Sequence, residues 1–157
     1  MFANLKRRRQ RRDAAFAAYR AIVARAREPG LFVAWSVPDT LDGRFELLAL
    51  HAFLVMNRLK DEPAAKKFAQ ILFDIMFADL DRAVREMGAT DTGVGKRVKA
   101  MARGFYGRVA AYDKGFGDDA ELAAALRRNL FGTTQPTPEQ IAAASRYLRT
   151  QAAALAA

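Results

Sequence analysis

The feature that most constrains the fold is the helical spacing of apolar residues along nearly the whole chain. Within residues 13–27, Phe16, Tyr19, Ile22 and Val23 recur three or four positions apart, which places them on one face of an α-helix. No stretch alternates apolar and polar residues between hairpin turns, as a half-buried strand would. The pattern therefore predicts an all-α protein.

Capping residues and helix breakers set the expected helix boundaries. They predict a single-domain bundle of about six helices, spanning 13–27, 39–60, 64–87, 93–114, 118–132 and the segment from 137 into the alanine-rich end. Asp39, Asp118 and Thr137 are the expected N-caps. We expect residues 31–38, LFVAWSVP, to form an extended connector, because the residue before a proline is biased away from helix.

The second helix is expected to lie at the centre of the bundle. Residues 45–56 read FELLALHAFLVM, so apolar side chains point in nearly every direction around the helix. The run is shorter than a membrane span requires and carries Glu46 and His51. It therefore indicates a core helix.

The length and composition favour one folded domain with two unstructured ends. A chain of 157 residues is long enough for a hydrophobic core, and 52% apolar residues are too many for disorder despite a net charge of +9. We expect residues 1–12 to be a flexible basic segment, 13–152 to be the helical domain and 153–157 to be a frayed tail. The alternative is that the arginines before Asp13 extend the first helix. The basic start lacks the long apolar run of a secretory signal.

Few residues could support catalysis or bind a metal. The chain has no cysteine and one histidine, His51, which we expect to be structural. The segment 88–96, GATDTGVGK, lacks the hydroxyl residue after its lysine and the preceding strand that a phosphate-binding loop needs. The acidic residues Asp74, Asp79, Asp81 and Glu86 lack the Glu-x-x-His pairs of di-iron helix bundles. The sequence predicts no catalytic residue, cofactor or metal.

Asp79 lies on the apolar side of the third predicted helix. A carboxylate in that position is costly unless it is paired, so we expect a partly buried ion pair with a cation from another element, Arg44 or Lys96. The alternative is that Asp79 lies at the edge of the apolar stripe and reaches water.

Basic residues form two clusters. The first is Lys6, Arg7, Arg8, Arg9, Arg11 and Arg12. The second, on the fourth predicted helix, places Lys96, Lys99 and Arg103 on one line beside Gly104 and Gly107. Such clusters attract anionic lipid, RNA phosphates or acidic protein surfaces equally well, so an RNA- or ribosome-binding module remains an alternative function.

Four motifs resemble the ubiquinol-cytochrome c chaperone family. They are D-T-x-D-G-R-F at 39–45, L-F-D-x-M-F-A-D at 72–79, R-E-M-G at 85–88 and V-G-K-x-V-K at 94–99. The resemblance covers the chain from Arg20 to about Gly132. The arginine cluster, the Gly-Thr-Thr-Gln-Pro linker and the alanine-rich tail lie outside it.

The resemblance implies a non-enzymatic assembly factor for ubiquinol-cytochrome c reductase, respiratory complex III. It implies that a bacterial member binds newly made cytochrome b at the cytoplasmic face of the inner membrane. Further implied partners are the ribosome, the anionic membrane surface and a small helical co-chaperone, with no role for DNA. As a hypothesis, Arg44, Lys96, Lys99 and Arg103 contact the client, while the segment 6–12 contacts the membrane or the ribosome.

Overall fold

A computed structural model describes all 157 residues and contains no strand, which confirms the all-α prediction. None of its helices combines the length and the apolar character needed to cross a bilayer. A 3₁₀ helix spans Pro63–Ala65. The seven α-helices are α1 (Phe2–Ala26), α2 (Pro29–Trp35), α3 (Leu41–Leu59), α4 (Lys66–Glu86), α5 (Asp91–Gly115), α6 (Asp119–Arg128) and α7 (Pro138–Ala156).

The first of two compact units comprises residues 1–21 and 59–105. Its core contains three phenylalanine rings: the Phe73 and Phe77 centroids lie 4.4 Å apart, and each lies 6.0 Å from that of Phe105. Around them are the buried apolar residues Leu72, Met76, Leu80, Val84 and Met101. The rings join α4 to α5 within this unit.

The second unit comprises residues 22–58 and 106–157. Every residue of α3 from Leu47 to Leu54 is buried, as expected for a core helix with apolar side chains all round. The ring of Phe53 packs against Tyr112 and Phe116, with centroids 5.5 and 5.4 Å away. The prediction of a central apolar helix is therefore confirmed.

Helix α1 begins at Phe2, which agrees with the alternative that the arginines before Asp13 extend the first helix. Arginine, lysine and alanine are strong helix formers, and the side chains of Arg9 and Asp13 pair at 3.9 Å across one turn. The arginine run therefore continues the helix rather than preceding it.

Residues 29–35 form α2, which corrects the prediction of an extended connector. Pro29 occupies the first turn, where its missing N–H costs nothing. Ser36 adopts a left-handed conformation with φ of 52° and ends the helix. The restriction that Pro38 imposes reaches only its neighbour Val37, beyond the end of α2.

The start of α3 differs from its prediction by one capping residue. The Thr40 hydroxyl, not the Asp39 carboxylate, accepts a hydrogen bond from the Gly43 N–H at 3.1 Å. Asp39 instead binds Arg44, with Nε 2.6 Å from Oδ1. Both side chains are N-cap types, and the guanidinium draws the aspartate away from the helix end.

The predicted starts of α6 and α7 are confirmed. Asp118 accepts a hydrogen bond from the Ala120 N–H at 2.9 Å. Thr137 and Gln140 form a reciprocal capping box, with bonds of 3.1 and 3.0 Å between each side chain and the other residue's N–H.

Helix α7 includes most of the segment 153–157. The helix continues to Ala156, and Nε of Arg58 donates a hydrogen bond of 3.0 Å to the Leu155 carbonyl. A carbonyl in the last helical turn has no partner within the helix, so this contact satisfies an acceptor that would otherwise depend on water.

Candidate partner-binding surfaces

The exposed face of α5 carries three cations that form no ion pair. Lys96, Lys99 and Arg103 follow one another at spacings of three and four residues, which places them on one side of the helix. All three are exposed. The acid in the first turn, Asp91, is engaged by Arg85 of α4. We name Lys96, Lys99 and Arg103 the α5 cationic face.

Arg44, the fourth predicted client residue, has a different environment. It lies at the start of α3 in the second unit, and its guanidinium pairs with Asp39 at 2.6 Å. The hydrogen bond from Arg44 lowers the pKa of the Asp39 carboxyl. Arg44 is therefore locally neutralised, unlike the residues of the α5 cationic face.

Two glycines on α5 have no structural explanation within the fold. Gly95 and Gly107 are exposed, and a Cβ added at either position would meet nothing within 4 Å. Each costs about 1 kcal/mol relative to alanine in a helix interior. Gly107 therefore does not serve close packing inside the fold. The open space leaves room for an external backbone.

Asp79 has an ion pair, but with a residue of its own helix. The Asp79 Oδ1 atom lies 2.7 Å from Nη2 of Arg82, and the Tyr19 hydroxyl donates a hydrogen bond to Oδ2. The prediction of Arg44 or Lys96 as the partner is wrong, because an arginine three residues along the same helix is already within reach of the carboxylate. The carboxylate is 36% exposed, so water also solvates it.

His51 connects α3 to α7 in the second unit. Its Nδ1 lies 2.7 Å from the Leu47 carbonyl and its Nε2 lies 2.7 Å from the Tyr147 hydroxyl. Because a carbonyl only accepts, Nδ1 carries the proton and Nε2 accepts from Tyr147. Burial lowers the pKa of His51. These contacts match the structural role expected for this residue.

A half-buried ion pair between α3 and α5 was missed from the sequence. Arg108 donates to both carboxylate oxygens of Glu46, with Nε 2.8 Å from Oε2. The two side chains are 19% and 13% exposed, and the hydrogen bond to Glu46 raises the pKa of Arg108. Glu46 itself could have indicated this pair, because an acid in a helix with apolar side chains on every side needs a partner.

The first unit also contains a groove that the sequence did not indicate. It lies between α1 and α4 and has a volume of about 690 Å³. Its apolar lining comprises Phe16, Ile71, Ile75 and Ala78. Its charged lining comprises Arg8, Arg11, Arg12, Lys67 and Asp74. We name it the α1–α4 groove.

The glycine-rich segment after α4 ends one helix and begins the next. Gly88 has a positive φ of 85° and terminates α4, while Gly93, Gly95 and Lys96 lie inside α5. No three His, Cys, Asp or Glu side chains lie close enough together to hold a metal ion. The interpretation of this segment as a helix boundary is confirmed.

Comparisons with known proteins find similarity to one family. The profile of the family described as "Ubiquinol-cytochrome C chaperone" matches residues 33–157. The match therefore includes the alanine-rich tail, which the motif-based resemblance had excluded. A solved structure, the Cbp3 homolog from Brucella abortus, is 39% identical with a TM-score of 0.83, and the alignment covers 99% of this chain and 88% of that one.

Two vertebrate relatives are similar over most of this chain. Ubiquinol-cytochrome c reductase complex assembly factor 1 of Mus musculus is 30% identical over 88% of this chain, and its counterpart in Xenopus laevis is 31% identical over the same share. The chain spans 48% of the mouse protein and 70% of the frog protein.

Proposed function

Because this chain belongs to the ubiquinol-cytochrome C chaperone family, we propose that it assists the assembly of respiratory complex III by binding newly made cytochrome b. The vertebrate relatives are named as assembly factors of the ubiquinol-cytochrome c reductase complex. Cytochrome b as the client follows from the family resemblance of the motifs. The chain would act by holding a protein segment and not by catalysing a reaction.

The α5 cationic face is the observation that carries the proposal. Three exposed cations without acidic neighbours create a local positive potential, which attracts an acidic loop of a client and orients it. Other cations, such as Arg85 and Arg108, already bind carboxylates of this chain and have less to offer a partner.

The exposed glycines of α5 support the same interpretation. An α-helix that keeps Gly95 and Gly107 without internal need loses stability. A client segment lying against α5 would gain from the missing side chains, because its backbone could approach the helix closely. The positive charge would attract the segment, and the glycines would let its backbone lie close to α5.

The direct test is charge reversal of the α5 cationic face. Lys96→Glu, Lys99→Glu and Arg103→Glu together should lower the level of complex III several-fold and weaken the crosslinking of the protein to cytochrome b. The matched control reverses three exposed arginines of α6 and α7, Arg127, Arg128 and Arg146, with the same change in net charge.

Thermal unfolding of both triple variants shows whether each remains folded. Equal loss of complex III in two folded variants would mean that only net charge matters and would reject the α5 cationic face as the client surface. Normal complex III in the α5 variant would reject it as well.

The proposal extends to location. We place the protein at the cytoplasmic face of the bacterial inner membrane, with the arginines of α1 directed to anionic lipid. Ribosome contact and a small helical co-chaperone are further proposals from the family resemblance. A pull-down from cells that express a tagged chain separates these partners when it is done with and without a chelator. The chelator removes magnesium and so dissociates ribosomes.

A further inference from the structure

The α1–α4 groove combines unpaired positive charge with an apolar lining. Arg8, Arg11, Arg12 and Lys67 form no ion pair in the structure. Asp74 is the single acid among the lining residues, and its Oδ1 accepts a hydrogen bond of 2.9 Å from the Gln70 amide. The groove therefore suits a ligand that carries negative charge at one end and hydrocarbon at the other.

The same helix exposes large apolar side chains close to these cations. Phe2 and Leu5 are 86% and 63% exposed, and Leu5, Arg8 and Arg12 follow at helical spacing. Leu5 and Arg12 are separated by about 10 Å along the helix axis. An interfacial helix buries apolar side chains about 5–10 Å into the boundary between headgroups and acyl chains and keeps its cations at the headgroups. This end of α1 offers both types of side chain.

We propose that the α1–α4 groove binds an anionic phospholipid of a membrane surface. The phosphate would lie among Arg8, Arg12 and Lys67, and the upper acyl chain would contact the apolar lining. Phe2 and Leu5 would enter the acyl region beside the bound lipid. A volume of about 690 Å³ is within the range of pockets that enclose small ligands. The proposed site rests on the proposed membrane location and adds a ligand to it.

The lining favours lipid over a nucleic-acid strand. Single-stranded RNA is bound by exposed aromatic rings that stack on bases, whereas Ile71, Ile75 and Ala78 are aliphatic. The aromatic ring in the groove, that of Phe16, has the Arg12 guanidinium above it, 5.7 Å from the ring centroid. RNA binding would also leave Phe2 and Leu5 without a role.

The test is flotation of the purified full-length chain with vesicles of phosphatidylcholine, with and without phosphatidylglycerol. We expect binding only when phosphatidylglycerol is present. Each cation near an anionic surface contributes about fivefold in partitioning, so Arg8→Gln with Arg12→Gln should weaken binding about 25-fold. The matched control, Arg127→Gln with Arg128→Gln, removes the same charge from exposed arginines of α6 that lie outside the groove. This control variant should lose at most a few-fold in its binding to the vesicles.

Two further variants separate the groove from general charge attraction. Lys67→Gln, which changes the α4 side of the groove, should weaken binding about fivefold, and Phe2→Ser with Leu5→Ser should weaken it at unchanged charge. Equal losses in the groove and control pairs would overturn the proposal. So would full binding by the Phe2 and Leu5 variant, or tighter binding to generic RNA that excludes vesicles. These assays contain no cytochrome b, so their failure leaves the client proposal to its own test.

Discussion

Burial holds His51 in its neutral form, although the hydrogen bond to the Leu47 carbonyl acts in the opposite direction. Burial lowers its pKa from the ordinary value of 6.5, while the more distant charges of Glu28 and Arg25 act in opposite directions. The unfolded chain therefore binds a proton more readily than the folded chain does. The resulting contribution to stability is complete above about pH 6.5 and is lost as the pH falls below that value.

We predict that the free energy of unfolding decreases on acidification more steeply in the natural protein than in the variant His51→Gln. The difference in slope should appear below pH 6.5, with a ceiling of about 1.4 kcal/mol per pH unit for one proton. Urea unfolding of both proteins between pH 5.5 and 7.5 measures this difference in slope. The contributions of carboxylates that both proteins share cancel in the comparison. Identical slopes would contradict the assignment of a buried neutral histidine.

The ion pair between Glu46 and Arg108 should contribute more to stability than surface pairs do. Glu46→Gln leaves a half-buried guanidinium without its countercharge, and we expect a loss of about 1 to 3 kcal/mol in the free energy of unfolding. The control is Asp39→Asn, which breaks the exposed pair with Arg44 and should change stability little. Equal effects in urea unfolding would show that burial adds nothing to the Glu46–Arg108 pair.

At the scale of elements, α5 contains glycines in opposite environments. A Cβ at Gly107 meets nothing within 4 Å, whereas one at Gly115 would lie 2.7 Å from the Leu122 Cα. Gly107→Ala should therefore raise the free energy of unfolding by about 0.5 to 1 kcal/mol, and Gly115→Ala should lower it because backbone must move. Urea unfolding measures both.

The Gly107 variant also tests the partner surface. If a client segment uses the space beside Gly107, the more stable variant should support a lower level of complex III in cells. A stabilised Gly107→Ala protein with normal complex III would show that this glycine serves no client.

Local chemistry predicted most helices, and tertiary contacts account for the remainder. Thr137 and Asp118 bind backbone N–H groups within a few residues, so sequence alone locates those starts. The pairing of Glu46 with Arg108, 62 positions away, cannot be inferred from spacing. The start of α1 could not be fixed from the sequence because an arginine run is compatible with both helix and disorder.

The two candidate surfaces differ in how far the sequence indicates them. The α5 cationic face follows from spacing within one helix, which the sequence displays. The α1–α4 groove requires α1 to be helical through its arginines and to face α4. The sequence left the first condition open as an alternative and did not indicate the second. Sequence therefore indicated the residues of the groove's basic side without showing that they enclose a cavity.

At the scale of the whole molecule, two groups of unpaired cations lie in the first unit: the α5 cationic face and the α1–α4 groove. Salt should weaken both interactions by screening. One unit of the chain would then contact both a client and the membrane into which that client is inserted.

The most direct measurement is the abundance of complex III, with the haem absorbance of cytochrome b, in membranes of a strain that lacks this protein. We predict that both fall while the cytochrome b transcript stays at its normal level. The natural chain should restore them, and the chain with a reversed α5 cationic face should not. Normal complex III and normal haem absorbance in the deletion strain would contradict the proposed assembly function.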